Sequence, residues 1–507
     1  MKALLISPHK LIPKAFSITQ KPSPPLGLAY IAAALEGICT EITVYDCIAE
    51  APDHYFKFGD LEGVIASGIA FEEMFAALPS EVDLIGITIM FTNNWLINRH
   101  LIILLKEKYP NATIIAGGEH VSAIPEFCLR DCPGLDVVVV GEGEDTISEL
   151  ASKIAQQASF DQVTGIVFKD PHSSEIINNG KRARIKAVGT INRPAWHLFP
   201  LDKYFENKIS YGIAYGNSLP IFSTRGCPFE CTFCSSPQMW GTKYTMRDVD
   251  DVIEEIKHLY YTYDVRNIDF YDLTAIIKRQ WIIDLCKRLE EENIHITWQI
   301  PAGTRSEAID FEVAEALKKT GCANITYAPE SGSPRTLKKI KKKVTIEKML
   351  SSIQSSYKAG LNVKLNILLG YPDEQLSDIF YTIKFLIKAS YYGAIDASPS
   401  IFSPYPGSAL FRELEANKEL KLDDEYFAGI ITSQSLHEFE NYNRNYSRTT
   451  LIFMLFLCYL SFYGSNYLFR PIRFFRLIRN LYTGKHETRG ELMLSLIISR
   501  ARSNKHV

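Results

Sequence analysis

The sequence predicts an α/β protein in three parts: a doubly wound parallel sheet over residues 1–150, a partial βα barrel of the TIM type over 216–415, and a helical region over 416–507, with a linker at 151–215. Three observations carry this. Up to residue 150, short apolar runs alternate with amphipathic ones, and strands alternating with helices imply right-handed crossovers and a parallel sheet. From 216 the alternation resumes as six strand-like runs at roughly thirty-residue spacing, the rhythm of a βα barrel. Past 416 that rhythm stops, and long apolar and basic stretches replace it.

In the first unit the strands are ALLIS (3–7), EITVYD (41–46), DLIGITIM (83–90), ATIIAGG (112–118) and DVVVVGEGE (136–144), with helical stretches such as LGLAYIAAALEG between them. Open parallel sheets bind ligands beyond the carboxyl ends of their strands. There the sequence places PSPPLG (22–27), TNN (92–94), GGEH (117–120) and GEGE (141–144), which make Pro25, Gly27, Thr92, Gly117, Gly118 and Glu142 candidate ligand contacts. Glycines at such ends permit close backbone approach. The linker contains a probable strand pair around TGIVFKD and the loop NRPAWHLFP (192–200).

The six barrel strands are IFSTRG (221–226), RNIDFYD (266–272), IHITWQI (294–300), NITYAPESG (324–332), NVKLNILLG (362–370) and AIDASPSIF (394–402). Barrel active sites lie at the carboxyl ends of strands. Trp298, Arg305 and Tyr327 lie at or near such ends and suit packing as well as a cavity wall.

Composition narrows the function classes. At 46% hydrophobic and 22% charged residues, the chain is neither disordered nor a multi-span membrane protein, and its net charge of −3 gives no overall pull toward nucleic acid. Ten cysteines are scattered except for one cluster, and the N-terminus MKALLISPHK has no secretory apolar stretch. Both point to the reducing cytoplasm.

The cluster is RGCPFECTFCSS (225–236), with Cys227, Cys231 and Cys234 in the pattern CxxxCxxC. A disulfide uses two thiols and a structural zinc site usually takes four ligands, so three clustered thiols suit neither. They leave one ligand position open. CxxxCxxC just after a first barrel strand, with Phe233 before the last cysteine, resembles the radical S-adenosylmethionine (SAM) superfamily. The resemblance implies a 4Fe–4S cluster on these three cysteines, with the open iron chelated by SAM, which is then cleaved to a 5′-deoxyadenosyl radical. It further implies that Asp272 in YDLT (271–274) lies by the SAM amino group, Glu330 in APESGSPRTL (328–337) by the ribose, and Gly370 in NILLGYPDE (366–374) by the adenine. By residue type alone, Asp272 also suits a strand-end turn and Glu330 a salt bridge.

A narrower likeness covers residues 1 to about 415. PSPPLGLAYIAAALE, GGEH, GEGE and SPYPGSAL (403–410) resemble the radical SAM class that carries a cobalamin-binding domain, a class that includes methylases of unactivated carbons and the anaerobic magnesium-protoporphyrin ester cyclase. The motif DxHxxG, which supplies an axial histidine to cobalt elsewhere, is absent. His9 and His120 sit at strand ends, where a lone histidine is more often a hydrogen-bonded loop residue than a ligand. What the resemblance implies is methylation of an unactivated carbon of a lipid or secondary metabolite, with a cyclase or other ring-forming enzyme as the alternative and a non-catalytic cobalamin or redox sensor as a third. An electron donor such as flavodoxin or ferredoxin would be the protein partner.

In the C-terminal region, TTLIFMLFLCYLSFY (449–463) falls short of a bilayer span, and Arg470, Arg473, Arg476 and Arg479 recur among apolar residues. A basic amphipathic helix beside an apolar one suits either a helical cap on the barrel or peripheral attachment to the inner face of a membrane.

Overall fold

The structure is a computed structural model that describes residues 1–14, 23–433 and 439–488, together with 490–492, 494, 495 and 498. The five expected N-terminal strands form one parallel sheet in the order Glu41–Asp46, Lys2–Ser7, Leu84–Thr88, Thr113–Gly117, Val137–Val139. Leu4, Leu5, Ile6, Ile85, Ile114 and Val138 are buried, as strands covered by helices on both faces must be.

The sheet does not stop at residue 150. Ile166–Lys169 and Ile176–Asn178, inside the expected linker, form an antiparallel hairpin that extends the sheet beyond Val137–Val139. Antiparallel addition needs only a tight turn, which is why so short a stretch can join. A second, three-stranded sheet made by Lys10–Pro13, Val64–Ser67 and Tyr55–Phe56 was not expected at all.

The barrel unit has six parallel strands in sequence order: Ser218–Ile221, Asn267–Phe270, Thr297–Thr304, Cys322–Glu330, Asn362–Leu369 and Asp396–Ile401. The first and last do not pair, so the barrel is open. Along Asn362–Leu369 every second residue (Val363, Leu365, Ile367, Leu369) is buried and the residues between are half-buried, the period of a strand with a packed helix layer on one side and a lumen on the other. One detail differs from expectation. The first strand ends at Ile221, and Thr224–Arg225 instead pairs antiparallel with Thr245–Met246, turning the chain into the cysteine loop.

The C-terminal region holds the two units together. Helix Asp424–Thr432 packs against the N-terminal unit: Phe427 lies against Trp95, His120 and Phe127, and Asp424 takes a bidentate pair from Arg99 at 2.8 and 2.9 Å. Helix Arg448–Phe469, capped by Ser447, runs 22 residues, longer than its apolar sequence core. By length and composition it could cross a membrane, yet one face packs on the last strand. There Tyr459, Tyr463 and Asn466 hydrogen-bond Pro399, Asp396 and Ala394. Its other face exposes Phe453, Phe456 and Leu460. Arg470 and Arg473 do not point to solvent as a basic face would require; they donate to the carbonyls of Ser390, Tyr391, Gly393 and Ala394, where cations stabilise a helix C-terminus.

Candidate functional site

The cysteine loop is built on backbone constraints. Gly226, just before Cys227, has φ +83°, and a Cβ there would lie 2.3 Å from the Lys243 carbonyl oxygen. Only glycine fits. Past it, the Thr232 N–H donates to the Ile340 carbonyl at 3.1 Å, and the Leu410 N–H donates to the Thr232 carbonyl at 2.9 Å. The loop is therefore stitched between the residue after helix Pro334–Lys339 and the start of helix Ala409–Ala416.

Cys227, Cys231 and Cys234 are half-buried free thiols. Burial raises the pKa of each, and Lys342 and Arg305 oppose that at Cys227 and Cys231. Nearby cations favour the thiolate that a metal requires. Among the described residues no His, Cys, Asp or Glu group converges as a site for one metal ion, and a cluster spaces its thiolates more widely than a single ion does. Three cysteines with cationic neighbours are a donor set suited to an iron–sulfur cluster.

Glu330 and Lys342 lie beside the loop. Glu330 ends its strand at φ +66°, a conformation costly for a residue with a Cβ and characteristic of functional sites. Its carboxylate accepts from Lys342 Nζ at 3.0 Å, with both side chains almost fully buried. Burial pushes the Glu330 carboxyl up and Lys342 pulls it back; burial would discharge Lys342, but Glu330 and Cys231 outweigh it. Phe233 meets Tyr371 edge-on at 6.0 Å, and Tyr371 packs on Phe402. Arg305 covers the Phe229 ring at 3.8 Å.

The other residues expected at SAM are placed as follows. Asp272 is buried and accepts from the Ser223 N–H and hydroxyl, both at 3.0 Å, and from the Thr224 hydroxyl. It fastens the second strand end to the first. Gly370, at φ +83°, donates to Glu374 Oε2 at 2.6 Å. The other Glu374 oxygen is buried with no hydrogen-bond partner among the described residues, as are Tyr371 Oη, Thr274 Oγ1 and Thr232 Oγ1. Buried polar atoms are normally paired. These orphans gather at the carboxyl ends of the barrel strands and in the cysteine loop, which suits a polar ligand such as SAM. Burial raises the Glu374 carboxyl to about 8.

Facing this edge are the strand ends of the N-terminal unit. Side-chain space at Gly27, Gly117 and Gly141 is open, while Met90 and Phe91 at the next strand end are 42% and 58% exposed. A surface cleared of side chains and fringed with apolar ones fits a large planar group such as cobalamin. Gly118 serves differently: at φ +121°, a Cβ there would lie 2.6 Å from the Ile89 carbonyl oxygen. Pro25 accepts from Ala29 N at the head of helix Leu26–Leu35.

Two candidates prove to be occupied by other work. Glu142 accepts from Arg225 at 3.1 Å and from the Ile185 N–H at 2.7 Å, while Arg225 also pairs with Glu144. Arg225 is two residues before Cys227, so this buried network ties the glycine turn to the cysteine loop. Thr92 holds His120 Nδ1 at 3.1 Å. His120 is buried among Trp95, Phe427 and Cys128, and burial drives its pKa to about 3; His9 hydrogen-bonds the Ile69 carbonyl at 2.7 Å between Phe56 and Phe71, with its pKa near 4. Neither ring is on the glycine surface.

Sequence reasoning missed Gly226, Lys342, Arg225 and Glu374. Only Gly226 carried a local signal, a glycine directly before the first cysteine.

Comparison with known proteins agrees with this geometry. Residues 221–386 match the model of the radical SAM superfamily, and 19–151 match that of the B12 binding domain. An uncharacterized methyltransferase of Pyrococcus horikoshii is 31% identical, covering 83% of this chain and 84% of its own. Cytidylyl-2-hydroxyethylphosphonate methyltransferase of Streptomyces wedmorensis is 28% identical over 77% of each. An anaerobic magnesium-protoporphyrin IX monomethyl ester cyclase of Rubrivivax gelatinosus is 26% identical over 66% of this chain and 58% of its own. The solved cobalamin-dependent SAM radical enzyme OxsB shares the fold, with TM-score 0.65 at 16% identity, covering 99% of this chain and 75% of that one. The chain belongs to the radical SAM superfamily, in the class with an N-terminal B12 binding domain, and its cofactors are a 4Fe–4S cluster, SAM and cobalamin.

Proposed function

We propose that the chain transfers a methyl group to an unactivated carbon of a lipid-like or secondary-metabolite substrate. The observation that carries this reading is the opposition of the cysteine loop to the glycine-cleared strand ends, locked by the Arg225–Glu142–Glu144 network. When bound, the cluster with SAM supplies a hydrogen-abstracting radical and cobalamin supplies a methyl group. The chain's own residues do the rest. Cys227, Cys231 and Cys234 would hold the cluster, Lys342 and Arg305 balance its charge, and Phe233, Tyr371 and Phe402 wall one side against water. Two relatives named as methyltransferases support methyl transfer.

A cavity of about 910 Å³ lies between the last barrel strand and the C-terminal helices, at the amino ends of strands Asn362–Leu369 and Asp396–Ile401 and so away from the cysteine loop. Tyr459, Tyr463, Tyr467 and Phe469 line it, and it shares Asn362, Lys364 and Asp396 with a smaller cavity at the barrel lumen. Its lining mixes five aromatic rings with charged groups such as Lys364, Asp396, Arg473 and Glu487.

The test is anaerobic. The protein is reconstituted with iron, sulfide and methylcobalamin, then incubated with reductant, candidate substrates and SAM carrying a deuterated methyl group. Bound iron and cobalt, 5′-deoxyadenosine, and a product heavier by one labelled methyl are expected. A product with a new ring and no label would replace methylation with cyclisation, and no 5′-deoxyadenosine at all would remove the enzyme reading.

A further inference from the structure

Nine residues after the strand that carries Glu330 read RTLKKIKKK (335–343), six of them basic, in a chain whose net charge is −3. They do not behave alike. Leu337 and Ile340 are buried, Lys342 turns inward to Glu330, and Arg335 pairs with Asp378. Lys339 pairs with Asp373, while Lys338, Lys341 and Lys343 are exposed and make no ion pair with any described residue. Lys341 sits at φ +52°, a strained turn that lets Lys342 point in while its neighbours point out.

This ridge is hydrogen-bonded to the cysteine loop. The Ile340 carbonyl accepts the N–H of Thr232, the residue after Cys231, and a recess of about 240 Å³ opens there, where Arg335 and Lys339 are matched by Asp373, Glu374 and Glu413, so the unbalanced positive charge lies on the exposed lysines outside it. Elsewhere the loop is hemmed in by the N-terminal unit, with Ser235 on Glu119, Gln238 on the Ala123 carbonyl and Arg225 on Glu142. These contacts and those from helix Ala409–Ala416 cover other stretches of the loop, and the ridge meets it at Thr232.

We propose that the exposed lysines at 338, 341 and 343 are the docking surface for an acidic one-electron carrier protein that reduces the cluster across the Thr232–Ile340 contact. The proposal rests on the reading that the three cysteines hold a redox-active cluster. One electron leaves the carrier's reduced flavin or iron–sulfur centre and enters the cluster; the carrier is oxidised by one electron, the cluster is reduced by one, and no bond or proton need move. Unpaired like charges at one place attract an oppositely charged partner and accelerate its encounter, and both effects weaken with salt. The chain as a whole, at net charge −3, gives such a carrier no general attraction.

The test measures affinity first. A flavodoxin, an acidic FMN protein, is titrated with the reconstituted native chain and with the Lys338→Glu/Lys341→Glu/Lys343→Glu variant, following FMN anisotropy at low and high salt. A milder triple Gln variant guards against misfolding. The expected result is at least about a tenfold weakening in the Glu variant, roughly 1.4 kcal/mol, a smaller loss in the Gln variant, and a flattened salt dependence. Flavodoxin-driven 5′-deoxyadenosine formation falls in parallel, while iron content and dithionite-driven formation stay at the native level. Unchanged affinity overturns the proposal, as does lysine-dependent binding to phosphatidylglycerol vesicles without flavodoxin binding. If dithionite fails to drive SAM cleavage in the native chain, the cluster reading falls instead, and the affinity result still decides the docking surface.

Discussion

The two sheets face each other with opposite chemistry. The N-terminal unit is bare there, with open space above Gly117 and Gly141 at strand ends and above Gly27 at the head of helix Leu26–Leu35, whereas the barrel edge is crowded with buried ionisable groups at Asp272, Glu330, Lys342 and Glu374. A large planar ligand needs surface cleared for it, and its affinity comes from shape and area. A compact charged ligand needs groups that hold charge in place away from water, at the cost of burying them. The same strand–helix rhythm thus serves two binding strategies, and each has its own way of failing.

The largest effect expected comes from breaking the charged side. Cys231→Ala should drop bound iron to background and abolish 5′-deoxyadenosine, while cobalamin binding to the bare side persists. Iron assay and visible spectra on one sample check both. Loss of cobalamin along with iron would mean that the two faces do not act separately.

Next is the joint between them. Arg225→Met leaves Glu144 buried without its cation and Glu142 with only Arg184, at 3.7 Å, and removing one partner of a buried pair costs about 3–5 kcal/mol. Calorimetry should then show the N-terminal unit melting ahead of the barrel where the native chain melts in one step. A single transition at the native temperature would dismiss the network as a joint.

His120 sharpens the comparison from inside the N-terminal unit. With its folded pKa near 3 against an ordinary 6.5, the ring is neutral when folded and gains a proton on unfolding. Its contribution is therefore intact above pH 6.5 and lost as pH falls toward 3, at about 1.4 kcal/mol per pH unit. Between pH 7 and 5 the native chain should lose about 2 kcal/mol more than His120→Gln, read by urea unfolding. Cobalt content should be unchanged, because the ring faces Trp95 and Phe427.

How much of this the sequence disclosed follows from what is local. Parallel strands buried on both faces are continuous apolar runs, so most of the expected strands fell where they were placed, and the first and third barrel strands were displaced by three to five residues. Tyr55–Phe56 and Lys10–Pro13 were invisible because two to four residues have no periodicity until a distant strand pairs with them. The cysteines were legible because their chemistry lies within eight positions. Lys342 was not, since RTLKKIKKK gives no sign of which lysine turns inward. Nor was the role of Glu142, whose partner Arg225 is 83 residues away. Asp272 shows the remaining difficulty: the residue expected beside the SAM amino group spends its carboxylate on fastening two strand ends.

The smallest effect tests the bare side alone. Gly117 ends its strand without a positive φ and with nothing within 4 Å of where a Cβ would sit, so Gly117→Leu can be accommodated without backbone strain. That separates it from Gly118 and Gly226, where any side chain meets a carbonyl. If the open space is where a planar group lies, leucine must occupy part of it, and cobalamin affinity should fall about tenfold, or 1.4 kcal/mol, while iron content and melting temperature stay native. Equilibrium dialysis with methylcobalamin measures it. Unchanged affinity would mean that the cofactor touches the sheet elsewhere, and the open glycines would then mark only a gap between the two units.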